Sequence, residues 1–172
     1  MIQEVSYKNE LLTEIDAAVS SLLGLISSLD ENRINTVPYE ESWTAGQLSR
    51  HVVKSTNAMA KAMRMKSKPA ERDAGERIPE LKKAFLDFSN KMQSPDFIVP
   101  EEGPYNKQTT IEELNKSFEQ LKESTNNANL TEMADNLPLG PITKLEILHF
   151  VLYHTQRHLH QMKKMCDVLQ KK

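Results

Sequence analysis

The chain has 172 residues, of which 24 are acidic and 22 basic, so its formal net charge at pH 7 is −2. This length suffices for one domain with its own hydrophobic core, and we predict a single domain over residues 1–172. The near balance of charge argues against a protein that binds nucleic acid through bulk positive charge. The single cysteine, Cys166, excludes an intramolecular disulfide bond.

The sequence favours a cytoplasmic protein without membrane contact. Residues 1–10 are polar and charged and lack the apolar segment of a secretion signal. The longest strongly apolar run, 147–153, is interrupted by His149 and is far too short to span a bilayer. A lone thiol also fits a reducing compartment.

Between clusters of proline, apolar residues recur at intervals of three and four positions, which is typical of amphipathic helices. The proline-containing segments 94–105 and 137–141 interrupt this pattern and cannot be regular helix. We therefore predict an all-α protein. In chain order, the predicted helices span residues 8–29, 44–66, 76–92, 110–127 and 142–170.

Three of the predicted helix starts carry a threonine followed three positions later by glutamine or glutamate. In such a capping box, each side chain accepts a hydrogen bond from a backbone amide that the helix leaves unpaired. We therefore interpret these threonines as helix caps. The pairs are Thr44 with Gln47, Thr110 with Glu113, and Thr143 with Glu146.

His51 lies on the apolar face of the second predicted helix. Each helical residue advances about 100° around the axis, which places apolar and small side chains around His51 and charged ones opposite. Its neighbours along this face, Ser55, Ala58 and Ala62, are small and leave space beside the imidazole. We expect His51 to face the core.

The last predicted helix carries four of the five histidines, and these point in two directions. His158 follows His154 by one turn, at about 40°, so both imidazoles project from the same apolar surface. His149 and His160 stand at about 220° and 240° from His154, on the polar side. We expect the first pair to face the core and the second pair to face solvent.

The presence of three histidines that face the core can be interpreted in two ways. A single buried histidine is usually a hydrogen-bonded core residue. Two buried imidazoles one turn apart each need a partner, however, and their protonation would be costly. A divalent metal ion satisfies both requirements, because neutral imidazole is its commonest protein ligand. Helical geometry alone leaves both interpretations open.

Two segments resemble those of a known family. Residues 41–48, Glu-Ser-Trp-Thr-Ala-Gly-Gln-Leu, followed by His51, resemble the W-(S/T)-x-x-(E/Q)-hydrophobic…H element of the DinB/YfiT-like metal-binding helical bundles. Residues 153–161, which include His154 and His158, resemble the C-terminal H-x-x-x-H element of that family. The match covers nearly the whole chain in helix order and length, and segment 95–104 resembles a subgroup of short bacterial members.

The resemblance implies a four-helix bundle with an additional short helix and long loops. It also implies one divalent ion, nickel or zinc, held by His51, His154 and His158. Some members are transferases or isomerases that use low-molecular-weight thiols, some resemble hydrolases, and many have no established activity. The fold therefore does not assign the reaction.

The expected ligand set allows two functions. Three histidines leave at least one coordination position open, as in catalytic centres, and this favours a metal-dependent enzyme acting on a small molecule. Such an enzyme is either a thiol S-transferase, with a low-molecular-weight thiol as partner, or a hydrolase that activates water. The alternative is a non-catalytic metal-binding or stress-response interaction protein, which the lack of a His-Glu-x-x-His general base favours. The choice between a monomer and a homodimer stays open.

Other side chains are candidates for the surroundings of the ion. Gln47 and Gln161 lie at the edges of the histidine faces and could orient a water or a ligand. Trp43 either lines the entrance of a pocket or packs as an apolar plug before the helix. Arg157 either binds an anionic group at the rim or is solvated. Cys166 lies at the shoulder of the apolar face, where we expect it to pack.

Overall fold

The computed structural model describes residues 2–135 and 137–171, with side chains from Ser6 onward. Within this part of the chain, four long helices and two short ones carry the fold. Their bounds are α1 Ile2–Ser28, α2 Glu31–Ile34, α3 Ala45–Arg64, α4 Ile78–Leu86, α5 Lys107–Asn126 and α6 Lys144–Leu169.

The four long helices pack as a bundle. Helix α3 lies against α5 and α6, while α1 lies against α6 and α5. The short helix α4 packs on α6 from outside the bundle. Leu22, Leu48, Leu114 and Ile147, one from each long helix, are fully buried in the common core. The predicted all-α four-helix bundle with an additional short helix is confirmed.

A small antiparallel sheet lies at the end of the bundle where α3 and α5 end and α6 begins, and the sequence did not predict it. Its strands β1 (Lys68–Pro69), β2 (Glu132–Ala134) and β3 (Ile142–Thr143) pair in that order. Lys68 lies opposite Met133, which in turn lies opposite Thr143. Strands of two or three residues are too short to show an alternating apolar pattern.

Two of the three predicted capping boxes are present. The Thr44 hydroxyl accepts the amide of Gln47 at 3.1 Å, and the Gln47 side chain accepts the amide of Thr44 at 3.0 Å. The box that starts α6 at Thr143 has the same arrangement. The third was wrong, because α5 begins earlier and Asn106 is its N-cap. Thr110 lies inside that helix, with its hydroxyl donating to the Asn106 carbonyl at 2.8 Å.

Helix α4 is shorter than the predicted helix over residues 76–92. The chain leaves the helix at Asp87, whose carboxylate accepts the amide of Ser89 at 3.0 Å and the side-chain amide of Asn90 at 2.7 Å. Local bonds of this kind compete with helical ones. The segment after Leu86 is therefore free to turn towards the bundle.

Residues Ser6–Ser28 of α1 are, by length and composition, long and apolar enough to cross a membrane, with a mean hydropathy of 1.4 over an 18-residue window. The sequence shows no uninterrupted apolar run in this segment, because polar residues such as Thr13 and Asp16 divide it. Core helices of soluble proteins pass the same test. Here Leu11, Ile15 and Leu22 are buried in the common core with residues of the other helices.

Gly46 permits a close contact between α3 and the loop before α5. A Cβ atom at this position would lie 2.8 Å from three side-chain atoms of Tyr105, whose backbone is held on both sides by the Asn35 amide. We expect Gly46→Ala to lower the free energy of unfolding by about 1–3 kcal/mol through overpacking. Urea denaturation measures this change.

Gly24→Ala in α1 is the matched control. Apart from the backbone of its own helix, no atom lies within 4 Å of the position that a methyl group would take there. The helix propensity of alanine should therefore raise stability by about 0.5–1 kcal/mol. If the two variants changed stability in the same direction, crowding against Tyr105 would not be the cause.

Candidate metal centre

The three histidines expected to face inward lie together between α3 and α6. His51 is in the second turn of α3, and His154 and His158 are one turn apart in the middle of α6. All three side chains are buried, with exposed fractions of 2%, 6% and 7%. The packing of α3 on α6 brings the single histidine to the pair.

Their Nε2 atoms converge on one point. His154 Nε2 lies 3.1 Å from His51 Nε2 and 3.1 Å from His158 Nε2. One potential ligand atom from each residue falls within 4.8 Å of the others. Nitrogens bound to one tetrahedral zinc at about 2.0–2.1 Å are about 3.3 Å apart, so these distances fit such an ion.

The opposite ring nitrogens of two of these histidines have hydrogen-bond partners. His51 Nδ1 donates to the Ile98 carbonyl at 3.0 Å, and His158 Nδ1 donates to Gln161 Oε1 at 3.1 Å. With its proton on Nδ1, each ring directs the Nε2 lone pair towards His154. A proton on His154 Nε2 can serve only one of these lone pairs, whereas a divalent cation between the rings satisfies all three nitrogens.

Burial keeps the three imidazoles neutral. It lowers the pKa of His51, lowers that of His154 well below its usual value, and lowers that of His158 to about 3. For His154 and His158, repulsion between neighbouring imidazolium charges lowers the pKa further. Neutral imidazole is the form that binds a metal ion, so the cluster is prepared for one at pH 7.

The histidine cluster opens onto a cavity of about 990 Å³. Ser55 and Ala58 of α3 line it beside His51, in agreement with the space expected from their small side chains. Aromatic rings form much of the remaining wall, including Trp43, Phe85 and Phe150. This volume accommodates a small organic molecule next to the imidazoles.

Of the expected surrounding residues, Gln161 and Trp43 are at the site and Gln47 is not. Gln161 fixes the ring of His158, as described above, and lines the cavity. Trp43 is half-buried, with its ring centroid 5.1 Å from that of His51. The side chain of Gln47 is engaged in the cap of α3 and is not among the residues that line the cavity.

Arg157 and Cys166 have different surroundings. Arg157 is half-buried and lines the cavity. Cys166 is buried, and its thiol lies 3.9 Å from the Leu25 carbonyl on the side of α1, away from the cavity. Burial raises the pKa of this thiol, so Cys166 packs as an apolar residue, as expected.

The prediction that His149 faces solvent was wrong. His149 is buried, with Nε2 2.8 Å from the Tyr7 hydroxyl and Nδ1 3.2 Å from the Tyr153 hydroxyl. Helix α1 covers this side of α6, so both of its long faces are packed. His160 is only partly buried and stacks on Phe88 with a centroid separation of 4.1 Å.

Two features of the site were not found from the sequence. The Ile98 carbonyl that orients His51 belongs to a 3-10 turn, Asp96–Ile98, which lies against α3. Every residue has a backbone carbonyl, so the residue type at position 98 does not predict this hydrogen bond. Phe85 and Phe150 contact His154 with centroid separations of 6.0 Å and 5.1 Å. The type of these two residues does not distinguish them in the sequence from other apolar residues of the core.

The fold and the cluster together define a class: a helical bundle in which three buried histidines converge beside a cavity. The family model of the DinB superfamily matches residues 14–162. The chain therefore belongs to the DinB superfamily.

A solved structure agrees with this architecture. The crystal structure of TT2238, described as a four-helix bundle protein, is similar to this chain with a TM-score of 0.59 and 16% sequence identity. The similarity covers 91% of this chain and 98% of TT2238, and at this identity it supports the fold alone. No curated protein sequence matches the chain.

Proposed function

We propose that this protein binds one divalent metal ion through His51, His154 and His158 and acts as a metal-dependent enzyme on a small molecule. The observation that carries the proposal is the convergence of three Nε2 atoms, two of them on rings whose Nδ1 atoms are fixed by hydrogen bonds. Nickel and zinc are the ions we propose, because imidazole nitrogens suit both. We also propose a cytoplasmic location.

The surroundings of the cluster favour catalysis over storage. Three neutral ligands retain the full +2 charge of an ion and leave a coordination position for a substrate. An ion in this place supplies Lewis acidity, which lowers the pKa of a thiol or water that binds it. The aromatic walls exclude water from one side, and the cavity next to the imidazoles has room for a reactant.

Between the two reaction classes, the surroundings favour a thiol S-transferase over a hydrolase. In the described part of the chain, three carboxylates line the cavity, and all three are exposed. They belong to Glu40, Glu41 and Asp96. A metal ion also generates hydroxide from bound water, but hydrolysis is further assisted by an acid close to the reacting atoms that protonates the leaving group. A thiol bound to a metal ion loses its proton without a protein base. A non-catalytic metal-binding protein is the alternative, and the same lack of a buried base favours it.

Adding 2-mercaptoethanol to the cobalt-loaded protein tests whether a thiol binds the metal ion, as the transferase requires. We expect a strong charge-transfer absorption, because sulfur ligation produces such a band and imidazole or water ligation does not. The control is 1-propanol at the same concentration, which has no thiol and should leave the spectrum unchanged. A spectrum that the thiol does not change would favour the hydrolase or the plain metal binder.

A further inference from the structure

Arg157 occupies a distinctive place beside the histidine cluster. It precedes His158 on α6 and lies about 60° around the helix axis from His154, so it borders the same cavity. One terminal nitrogen, Nη1, donates to the carbonyls of Phe85 at 3.2 Å and Asp87 at 3.0 Å. The other, Nη2, donates to the Asn90 carbonyl. The guanidinium is therefore held in place by the segment that follows α4.

The three carbonyls that fix the Arg157 guanidinium are uncharged, so they do not neutralise its positive charge. In the described part of the chain Arg157 forms no ion pair, whereas the half-buried Arg50, Arg72 and Arg77 each pair with glutamate. A guanidinium has five N–H donors, and the carbonyls engage three of them. No described residue engages the other two donors, Nε–H and one Nη2–H, so they are available to an anion, and such a pair suits a carboxylate.

The nearby carboxylates do not offset this charge. Hydrogen bonds from Ser89, and to a lesser extent the charge of Arg157, lower the pKa of the Asp87 carboxyl. Asp87 is exposed, however, and its oxygens accept hydrogen bonds from Ser89 and Asn90. Glu40, Glu41 and Asp96 are exposed at the mouth, where water screens them, and Glu41 also lies 3.8 Å from Lys91. Deeper in the cavity, Arg157 and the neutral histidines adjoin the rings of Phe85 and Phe150. This inner end thus combines a fixed cation with an apolar wall.

We propose that the cavity takes a small organic acid with an apolar body, whose carboxylate pairs with Arg157 while its reactive donor atom reaches the histidine cluster. This inference rests on the proposed function, since it names the substrate class of the same site. Arg157 is then a specificity-determining residue. Its hydrogen bonds to the three carbonyls fix the position of the guanidinium before the acid binds. Binding therefore costs less side-chain conformational entropy.

Two thiols that differ in one group test the inference. In the cobalt-loaded protein we expect 3-mercaptopropionate to bind about ten- to one-hundredfold more tightly than 3-mercapto-1-propanol, as measured by the sulfur charge-transfer band. Arg157→Gln should reduce this ratio to about one, and Arg157→Lys should retain part of it. Lys164→Gln, which removes an exposed cation from the same lining, should leave the ratio unchanged.

A purely structural role for Arg157 gives a different result. If Arg157 only anchored the segment after α4, its replacement would weaken both thiols equally and the ratio would persist, which would overturn the inference. An equal loss in Lys164→Gln would overturn it as well, because the preference would then reflect general charge.

A metal-free measurement separates this inference from the proposed function. Calorimetric titration with 3-phenylpropionate should show binding to the metal-free protein and about tenfold weaker binding to Arg157→Gln. That result would support the acid site even if the protein bound no cobalt. In that case the proposed metal-dependent function would be wrong, but the acid site would stand. Equal affinity in both proteins, or no binding to either, would overturn the acid site while leaving metal binding intact.

Discussion

Replacing His154 by alanine is expected to reduce the metal content from about one ion per chain to nearly none. His154 is the central member of the cluster, since its Nε2 atom lies 3.1 Å from each of the other two. Loss of a partner that only orients a ligand costs about 10–100-fold in metal affinity, and loss of the ligand itself costs more. Metal analysis of purified protein and competition with a chromophoric chelator measure both quantities. His51→Ala should behave in the same way.

His160→Ala is the matched control for this experiment. It removes a histidine from the same helix whose ring stacks on Phe88 and is not part of the converging group. Gln161→Ala should give an intermediate result, about 10–100-fold weaker binding, because it frees the ring of His158. Full metal retention in His154→Ala, or equal loss in His160→Ala, would contradict the assignment.

His149→Ala is a poorer control than the sequence indicated. Its ring is buried and lies within hydrogen-bond distance of Tyr7 and Tyr153, so the variant leaves two hydroxyls without this partner and creates a cavity. It should lose stability while keeping the ion.

Chelation should leave the helical bundle folded, because the core of this chain is large enough without a metal ion. The melting temperature should fall, since an ion that binds only the folded state stabilises it by mass action. Loss of the helical circular dichroism signal on chelation at room temperature would instead assign the metal a structural role.

Glu146→Ala is expected to have the largest effect on stability, lowering the free energy of unfolding by about 3–5 kcal/mol. The carboxylate of Glu146 is fully buried and accepts two bonds from the Arg72 guanidinium, at 2.6 Å and 2.7 Å. It also accepts the amides of Arg77 at 2.8 Å and Thr143 at 2.9 Å. Its removal leaves a cation and two amides unpaired. Thermal unfolding should show a decrease of about 10 °C.

Glu112→Ala on the exposed face of α5 is the control, because among the described residues its carboxylate bonds only to the side chain of Gln108, one turn earlier. Its effect should stay within about 0.5 kcal/mol. A similarly small effect of Glu146→Ala would show that the network around α6 contributes little net stability.

The same carboxylate predicts a dependence on pH. Burial raises the pKa of Glu146, but the bonds from Arg72 and from the two amides outweigh burial, so its pKa lies below the usual 4.5. The stability it contributes is present above about pH 4.5 and is lost as the pH falls through the lower folded-state value. Between these values the unfolding free energy of Glu146→Ala should vary less with pH than that of the native protein.

Helical periodicity alone was enough to place the four long helices and to turn His51, His154 and His158 inward. The apolar pattern records which side of each helix leaves water, and this is decided by residues close in sequence. The capping boxes at Thr44 and Thr143 follow from the same local chemistry and are present as expected. At Thr110 the asparagine four positions earlier was the stronger cap.

Where several helices meet, periodicity was misleading. Helix α6 contacts α1, α3 and α4, so it has no wide solvent face of the kind that a two-sided pattern assumes. His149, on the polar side of the helical projection, is therefore buried beside Tyr7 of α1. The end of α4 was misplaced for a related reason, since the Asp87 turn and the bonds from Arg157 pull the chain out of the helix.

The sequence by itself determined the four long helices, the caps at Thr44 and Thr143 and the inward direction of three histidines, because each depends on residues within a few turns of one another. Only the tertiary structure decided that the three histidines bring their potential ligand nitrogens within 4.8 Å of one another. It also decided that the Ile98 carbonyl orients His51 and that Arg157 borders the same cavity. These features join segments some 50 to 100 positions apart, as with His51 and His154, which are 103 positions apart. Their distances are set by how helices pack, which no local pattern encodes.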